Sequence, residues 1–510
     1  MKEKKAFYSL RLRRLGIDTY QEPVIYMRRD CHVCRSEGFE AQSRIRVENG
    51  KQSVLATLNI VTTGILSPGE AGLSEAAWRL LKAEEGDEVT VSHPPPVESL
   101  SYVRGKVYGK RLSETAMREI VADIAAGRYS DVHLSAFITA CAGGRMDLQE
   151  MVSLTQAMIN AGDQIQWDRS PVMDKHCVGG LPGNRTTLIV VPIIAAFGLI
   201  MPKTSSRAIT SPAGTVDTME TLAPVNLKIG AMRRVVEREG GCIVWGGAVR
   251  LSPADDILIR VERPLDFDSP EQVVSSILSK KVAAGSTHVV IDVPVGKTAK
   301  VRDQESAETL RRHLEEVGRF VGLNVCVLIT DGTQPVGRGI GPALEARDVL
   351  AVLRREKNAP QDLLERSILL AGQILEFSSR VKKGEGRHMA RAILSDGRAW
   401  QKFQAICEAQ GGMREPAQAT YSREITARSA GIVASIENRR LARVAKLSGA
   451  PTAPSAGVDL HTPAGTRVEK GQPVFTIYAE TPGELDYALA YVETQPDIVY
   501  IQDIGQRIGQ

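Results

Sequence analysis

Residues 174–187 read DKHCVGGLPGNRTT, residues 188–201 read LIVVPIIAAFGLIM, and residues 202–220 read PKTSSRAITSPAGTVDTME. Two loops rich in Gly, Ser, Thr, Lys and Arg bracket one hydrophobic segment. That segment, Leu188 to Met201, predicts a helix running into the core, with Pro192 near its start. The first loop, Gly179 to Arg185, sits just before it. The first N–H groups of a helix lack intrahelical acceptors and favour an anion, and glycines let the backbone come close to it. Lys175 and Arg185 add charge, and Thr186 and Thr187 add hydroxyl donors. The second loop repeats the recipe with Lys203, Ser205, Ser206, Arg207, Thr210, Ser211 and Thr215. A single Gly-rich turn is usually only a turn. Two such loops around one helix predict a site for phosphate or a phosphorylated sugar.

Composition narrows the class. A chain of 510 residues suggests two to four domains. Its formal charge of +4 is mild, and aromatics are only 5%, so neither a nucleic-acid partner nor a base-stacking platform is expected. The apolar run from Leu188 to Met201 is too short to span a bilayer, which needs about 20 residues. The charged start, Met1 to Lys5, is followed by no apolar core of a signal peptide. Seven scattered cysteines fit free thiols in a reducing cytoplasm.

Outward from the two loops, residues 6 to about 92 read as β-rich and fit a small barrel. Ser9 to Arg13 alternates, Val54 to Thr62 is β-branched and apolar, Ser74 caps a short helix to Lys82, and Gly86 to Val91 reads as a strand. Cys31, His32 and Cys34 look like half a zinc site without a second pair, so no metal is expected. Pro94 to Pro96 is a stiff linker. Residues 112 to 162 read as three helices, the first capped by Ser113 with apolar Met117, Ile120, Val121 and Ile124, the third opened by Asp147. From Ser170 strands alternate with helices, which predicts a parallel sheet. Pro171 to Met173, Gly240 to Val244, His288 to Val293 and Asn324 to Thr330 are the strands, with a helix such as Ala307 to Val321 between them. The loop at Lys175 would then follow a strand's carboxyl end, where open α/β sheets bind ligands. Ser252 to Asp256 and Asp268 to Glu271 read as helix starts, the second helix ending at Lys280 and Lys281. From about Gln418 the chain ends β-rich, with strand patterns over Gly457 to Val468 and Gly471 to Ile477.

The Lys-His-x-x-Gly-Gly core (Lys175, His176, Gly179, Gly180) and the run KTSSRAITS at 203–211 resemble the thymidine phosphorylase family. The resemblance is to its long members, the AMP phosphorylases and similar bacterial proteins, and covers the chain from about residue 5 to the end. Where shorter members carry Ser after Lys-His this chain has Cys177, and where they carry His-Thr-Gly-Gly-Thr it has Ser211 to Thr215. The resemblance implies an α/β multidomain fold. Residues 1–93 would form a small N-terminal β-rich barrel, and residues 97–166, joined by 252–284, an all-α lobe. Residues 167–251 and 285–415 would form a large α/β domain with a central, mainly parallel sheet, and residues 416–510 a C-terminal α+β domain. Cleft closure about hinges near 162–170 and 281–287, which include Gly285, is expected.

The same resemblance implies phosphorolysis of the N-glycosidic bond of a nucleoside or nucleoside 5′-monophosphate. Inorganic phosphate is then the co-substrate, with no other cofactor, in a cytoplasmic homodimer or larger homo-oligomer without membrane or nucleic-acid partners. Lys175, Cys177, Thr187, Ser205 and Thr215 match phosphate-holding positions, and Ser276, Lys280 and His176 match base contacts. Asp268 aligns with a proton donor to the leaving base. Gly180, the run Ser206, Arg207, Ala208, Ile209, Thr210 and Ser211, then Thr215, Ser276 and Lys300 match nucleotide contacts. A ribose or base arginine falls at Arg260 or Arg263. The cations Lys203 and Arg207 suggest a second anion, a 5′-phosphate on the substrate. Two alternatives stand beside this reading. One is phosphoribosyl transfer, with Asp217 and Glu220 as Mg²⁺ ligands; the other is a nucleotide-binding regulator without catalysis.

Overall fold

A computed structural model describes residues 9–50, 52–208, 211–265 and 269–503, the side chains of Ala248 and Arg263 excepted. The chain divides into two compact units, residues 1–140 and 141–510.

In the first unit, six strands close into a barrel in the order β1-β5-β2-β4-β3-β6. They are β1 (Ser9–Arg14), β2 (Val24–Arg28), β3 (Arg44–Asn49), β4 (Gln52–Val61), β5 (Glu70–Leu73) and β6 (Glu88–Ser92). Alternation decides which face turns inward: Leu10 and Leu12 of β1 and Val89 and Val91 of β6 are buried, and their neighbours are not. The helix Glu75–Leu81 is capped as expected, with Ser74 accepting from the Ala77 N–H. Cys31 and Cys34 sit in a short helical turn, His32–Glu37, where the Cys31 sulfur accepts from the Cys34 N–H at 3.2 Å. Helices Leu100–Val107, Glu114–Ala125 and Asp131–Cys141 follow. Ser113 caps the second of these, and Met117, Ile120, Val121 and Ile124 are its buried stripe.

In the second unit, β7 (Met173–Cys177), β10 (His288–Val295) and β11 (Asn324–Asp331) form a parallel sheet in the order β11-β10-β7. β8 (Met201–Ser205) and β9 (Gly241–Trp245) pair in parallel beside it, joined through a Val172–Ile200 bridge. Two segments differ from what their sequence predicts. The strand placed at Pro171 to Met173 is β7, so Lys175 lies in the strand and not in a loop after it. The apolar run does not stay helical to Met201. The helix Thr187–Phe197 stops at Gly198, whose φ of 94° suits glycine, and β8 begins at Met201. Thr187 to Ala195 is continuously buried, and burial of each large aliphatic side chain there contributes about 1.5–3 kcal/mol.

Helix Leu148–Asn160, capped by Asp147 with Glu150 closing a capping box, packs on helix Pro270–Ala283. Further on, β12 (Gly339–Ile340) pairs with β14 (Gly457–Leu460), extending a sheet β12-β14-β15-β13 with β13 (Tyr421–Thr426) and β15 (Pro473–Ala479). The C-terminal β-unit thus takes one strand from the preceding region, a pairing with no local signal. No helix among the described residues is long and apolar enough to cross a membrane.

Candidate active site

Successive side chains of a strand point to opposite faces, and β7 puts Lys175 and Cys177 on one face and Asp174 and His176 on the other. On the first face Lys175 is buried, and its Nζ donates to Thr186 Oγ1 at 2.7 Å. Among the described residues no carboxylate lies within ion-pair distance of it. Burial lowers its pKa, Asp292 pushes back, and Arg185 and Arg366 deepen the depression. Thr186 is the N-cap of Thr187–Phe197, so the ammonium sits where that helix's unpaired N–H groups begin. The turn before it is built on glycine. Gly180 has φ 79°, and a Cβ there would come within 2.5 Å of the Lys300 backbone N. Cys177 accepts from Asn184 Nδ2 at 3.3 Å; burial and then Asp292 push its thiol up to about 11, so it is a neutral donor.

The opposite face is a knot of charge. Buried Asp174 lies 3.1 Å from Lys203 Nζ and 2.8 Å from Lys281 Nζ, and accepts from the Lys175 N–H at 2.6 Å. Burial works against this carboxylate, but Lys203 and Lys281 outweigh it and hold its pKa below the ordinary range. Lys281 moves down to about 7, first through burial and also through Lys203, with Asp174 opposing. His176 stands beside these lysines. Burial first, then Lys281, Lys203, Lys175 and Lys280, put its pKa well below the usual value, so its ring is neutral.

Helix Pro270–Ala283 places Ser276 and Lys280 one turn apart on one face. Both reach Asp255 at the start of helix Pro253–Leu265: Ser276 donates to its Oδ2 at 3.0 Å, and Lys280 forms an ion pair with it. Burial alone would depress Lys280, but Asp255, Asp256 and Glu262 raise it, and it stays charged.

The second loop is organised differently from its expectation. Lys203 is buried in β8 against Asp174. Arg207 pairs with Glu220 at 2.5 Å and Asp217 at 3.3 Å, and its guanidinium lies over the Trp245 ring at 5.4 Å. Asp217 accepts from the Ala208 and Gly214 N–H groups and shapes the turn before Thr215, the first residue of helix Thr215–Glu220. Arg185, expected at the phosphate, instead ties the loops together: it pairs with buried Glu345 and donates to the Ala213 carbonyl at 2.6 Å. Ser205 closes β8 beside β7, Ser206 follows it, and Ser211 donates to the Ala213 carbonyl.

The structure therefore gathers Lys175, His176, Cys177, Gly180, Thr187 and Lys300 about the first loop and the end of β7. Lys280 lies near enough to His176 to help lower its pKa, and Ser276 shares Asp255 with Lys280. Asp268, Ile209, Thr210 and the side chain of Arg263 lie outside the described residues. Sequence reasoning missed Asp174, Asn184, Asp255, Lys281 and Asp292. Asp174 and Asn184 were adjacent to the chosen motif and could have been found there; Asp292 and Lys281 carry no local signal.

The chain resembles known proteins along most of its length. Residues 169–400 match the glycosyl transferase family a/b domain, 100–162 its helical bundle domain, and 432–498 the pyrimidine nucleoside phosphorylase C-terminal domain. A protein of Polaromonas sp. named "Putative thymidine phosphorylase" is 64% identical over 97% of both chains. One of that name from Legionella pneumophila (strain Paris) is 60% identical over 98% of this chain and 96% of its own. Anthranilate phosphoribosyltransferase from Thermus thermophilus shares the fold over 60% of this chain and 98% of its own, with a TM-score of 0.50 at 19% identity. With near-full-length identity of this order on either side of the Lys175 site, the chain belongs to the thymidine phosphorylase family.

Proposed function

We propose that the protein catalyses phosphorolysis of the N-glycosidic bond of a pyrimidine nucleoside, yielding free base and ribose or deoxyribose 1-phosphate. The observation that carries this reading is Lys175: a buried ammonium with a neutral hydroxyl as its hydrogen-bond partner, at a glycine turn that opens a helix. Such a group calls for an exogenous anion, and phosphate supplies it. Thr187, Cys177, Ser205 and Thr215 add neutral donors. A phosphate oxygen attacks C1′, the C1′–N bond breaks, and the electron pair leaves with the base. Lys280, kept charged by Asp255, stabilises the negative charge that develops on the base, and neutral His176 offers one N–H to it. Asp268 is assigned as proton donor by family resemblance.

A nucleoside is favoured over its 5′-monophosphate because the cations that suggested a second anion are engaged. Lys203 serves Asp174, and Arg207 serves Glu220 and Asp217. The same pairing leaves Asp217 and Glu220 poorly placed as Mg²⁺ ligands, which disfavours phosphoribosyl transfer. The test is phosphate-dependent base release from thymidine, uridine, cytidine and adenosine and from their 5′-monophosphates. Thymidine or uridine should be cleaved fastest, with or without a chelator. A monophosphate cleaved faster than every nucleoside would overturn the substrate assignment, and no base release from any of them would overturn the activity.

A further inference from the structure

Asn184 lies in the first loop, two residues before the helix cap, and is 5% exposed. Its amide nitrogen donates to Asp292 Oδ2 at 3.1 Å and to Cys177 Sγ at 3.3 Å. Asp292 is itself fully buried in the middle of β10 and accepts from Thr330 Oγ1 at 2.6 Å. A carboxylate only accepts, so the Asn184 nitrogen must face Asp292, and the orientation of the amide is fixed by chemistry. Its other atom, Oδ1, is buried and has no hydrogen-bond partner among the described residues. Buried acceptors without partners are rare and costly, and one beside an anion site calls for a ligand that carries a proton.

We propose that Asn184 Oδ1 accepts a hydrogen bond from the P–OH of inorganic phosphate, making Asn184 a residue that selects a protonated oxyanion over an unprotonated one. The inference rests on the phosphate reading of the Lys175 site and deepens it. Lys175, the helix start and the hydroxyls recognise negative oxygens and would hold sulfate as readily as phosphate. An acceptor in the same turn repels a bare oxygen and welcomes a hydroxyl. Asn184 is held in that role on both sides of its donor nitrogen, by Asp292 and by the thiol of Cys177.

The experiment is calorimetric titration of the full chain, without nucleoside, with phosphate, sulfate and monofluorophosphate. Monofluorophosphate has the charge of monohydrogen phosphate and lacks its O–H. A sugar hydroxyl could also serve Oδ1, but with no nucleoside present any preference must come from the P–OH. Wild-type protein should bind phosphate about ten-fold or more tightly than either other anion, the worth of one buried hydrogen bond. Asn184→Ala should lower phosphate affinity to the level of monofluorophosphate and leave sulfate unchanged or tighter. Equal binding of phosphate and monofluorophosphate by wild-type protein overturns the inference while leaving the site intact. Failure to bind any of the three overturns the phosphate site itself. If Asn184→Ala does not fold, the wild-type comparison decides alone.

Discussion

The two faces of β7 are built from neighbouring residues and obey opposite electrostatic rules. Asp174 closes its own circuit, a buried carboxylate between Lys203 and Lys281. Lys175, one residue on, is equally buried and is matched by a neutral hydroxyl. A compensated face holds the fold together; an uncompensated one, on the proposed function, is completed by phosphate. The difference teaches how to tell a structural buried charge from a functional one, because removing each should move a different observable.

The largest effect is expected at Asp174. Asp174→Asn would leave two buried lysines without a shared counter-ion, at a cost of about 3–5 kcal/mol of stability. Urea unfolding would read it, and an unchanged midpoint would erase the distinction between the faces. Lys175→Met should do the reverse. Stability should hold or rise, because a buried uncompensated charge is removed. At the same time kcat/KM should fall by about 2–4 kcal/mol of transition-state stabilisation. A destabilised but active Lys175→Met protein would reverse the assignment.

Lys281 sharpens the comparison through pH. Its folded pKa, about 7, is below that of an ordinary lysine, so between those values the unfolded chain binds a proton that the folded chain does not. Stability from this group therefore rises as pH increases above about 7, by at most about 1.4 kcal/mol per unit. Unfolding of wild type and Lys281→Met across that range should show the wild type gaining on the variant; parallel curves would mean that Asp174 keeps Lys281 fully charged. The smallest effect belongs to Arg207, a partly exposed cation already paired with Glu220 and Asp217. Arg207→Ala should cost about 1 kcal/mol or less on thymidine and uridine. A much larger loss on a monophosphate than on its parent nucleoside would restore the second-anion reading.

The sequence determined the elements whose signals are local. Local pattern gave three of the six barrel strands, those at Ser9, Val54 and Gly86, with the helix in the apolar run after Thr187 and the strands at His288 and Asn324. Cap chemistry gave Ser74, Ser113 and Asp147, and glycine placement gave the turn before the helix at Thr187. It also marked Lys175, His176 and Gly180 as one motif. What it could not decide was pairing between distant charges. Lys203, Arg207 and Arg185 read as cations waiting for an anion, and the fold gives each a carboxylate, Asp174, Glu220 with Asp217, and Glu345 respectively. Asp292 and Lys281 reach the site only because parallel pairing and helix packing carry them there. Whether a buried charge is spent or available depends on separations of a few ångströms between residues as much as 160 apart in sequence. A residue list has no access to that distance, so composition can propose an anion site, but only the tertiary structure shows which buried ammonium has no carboxylate paired with it among the described residues.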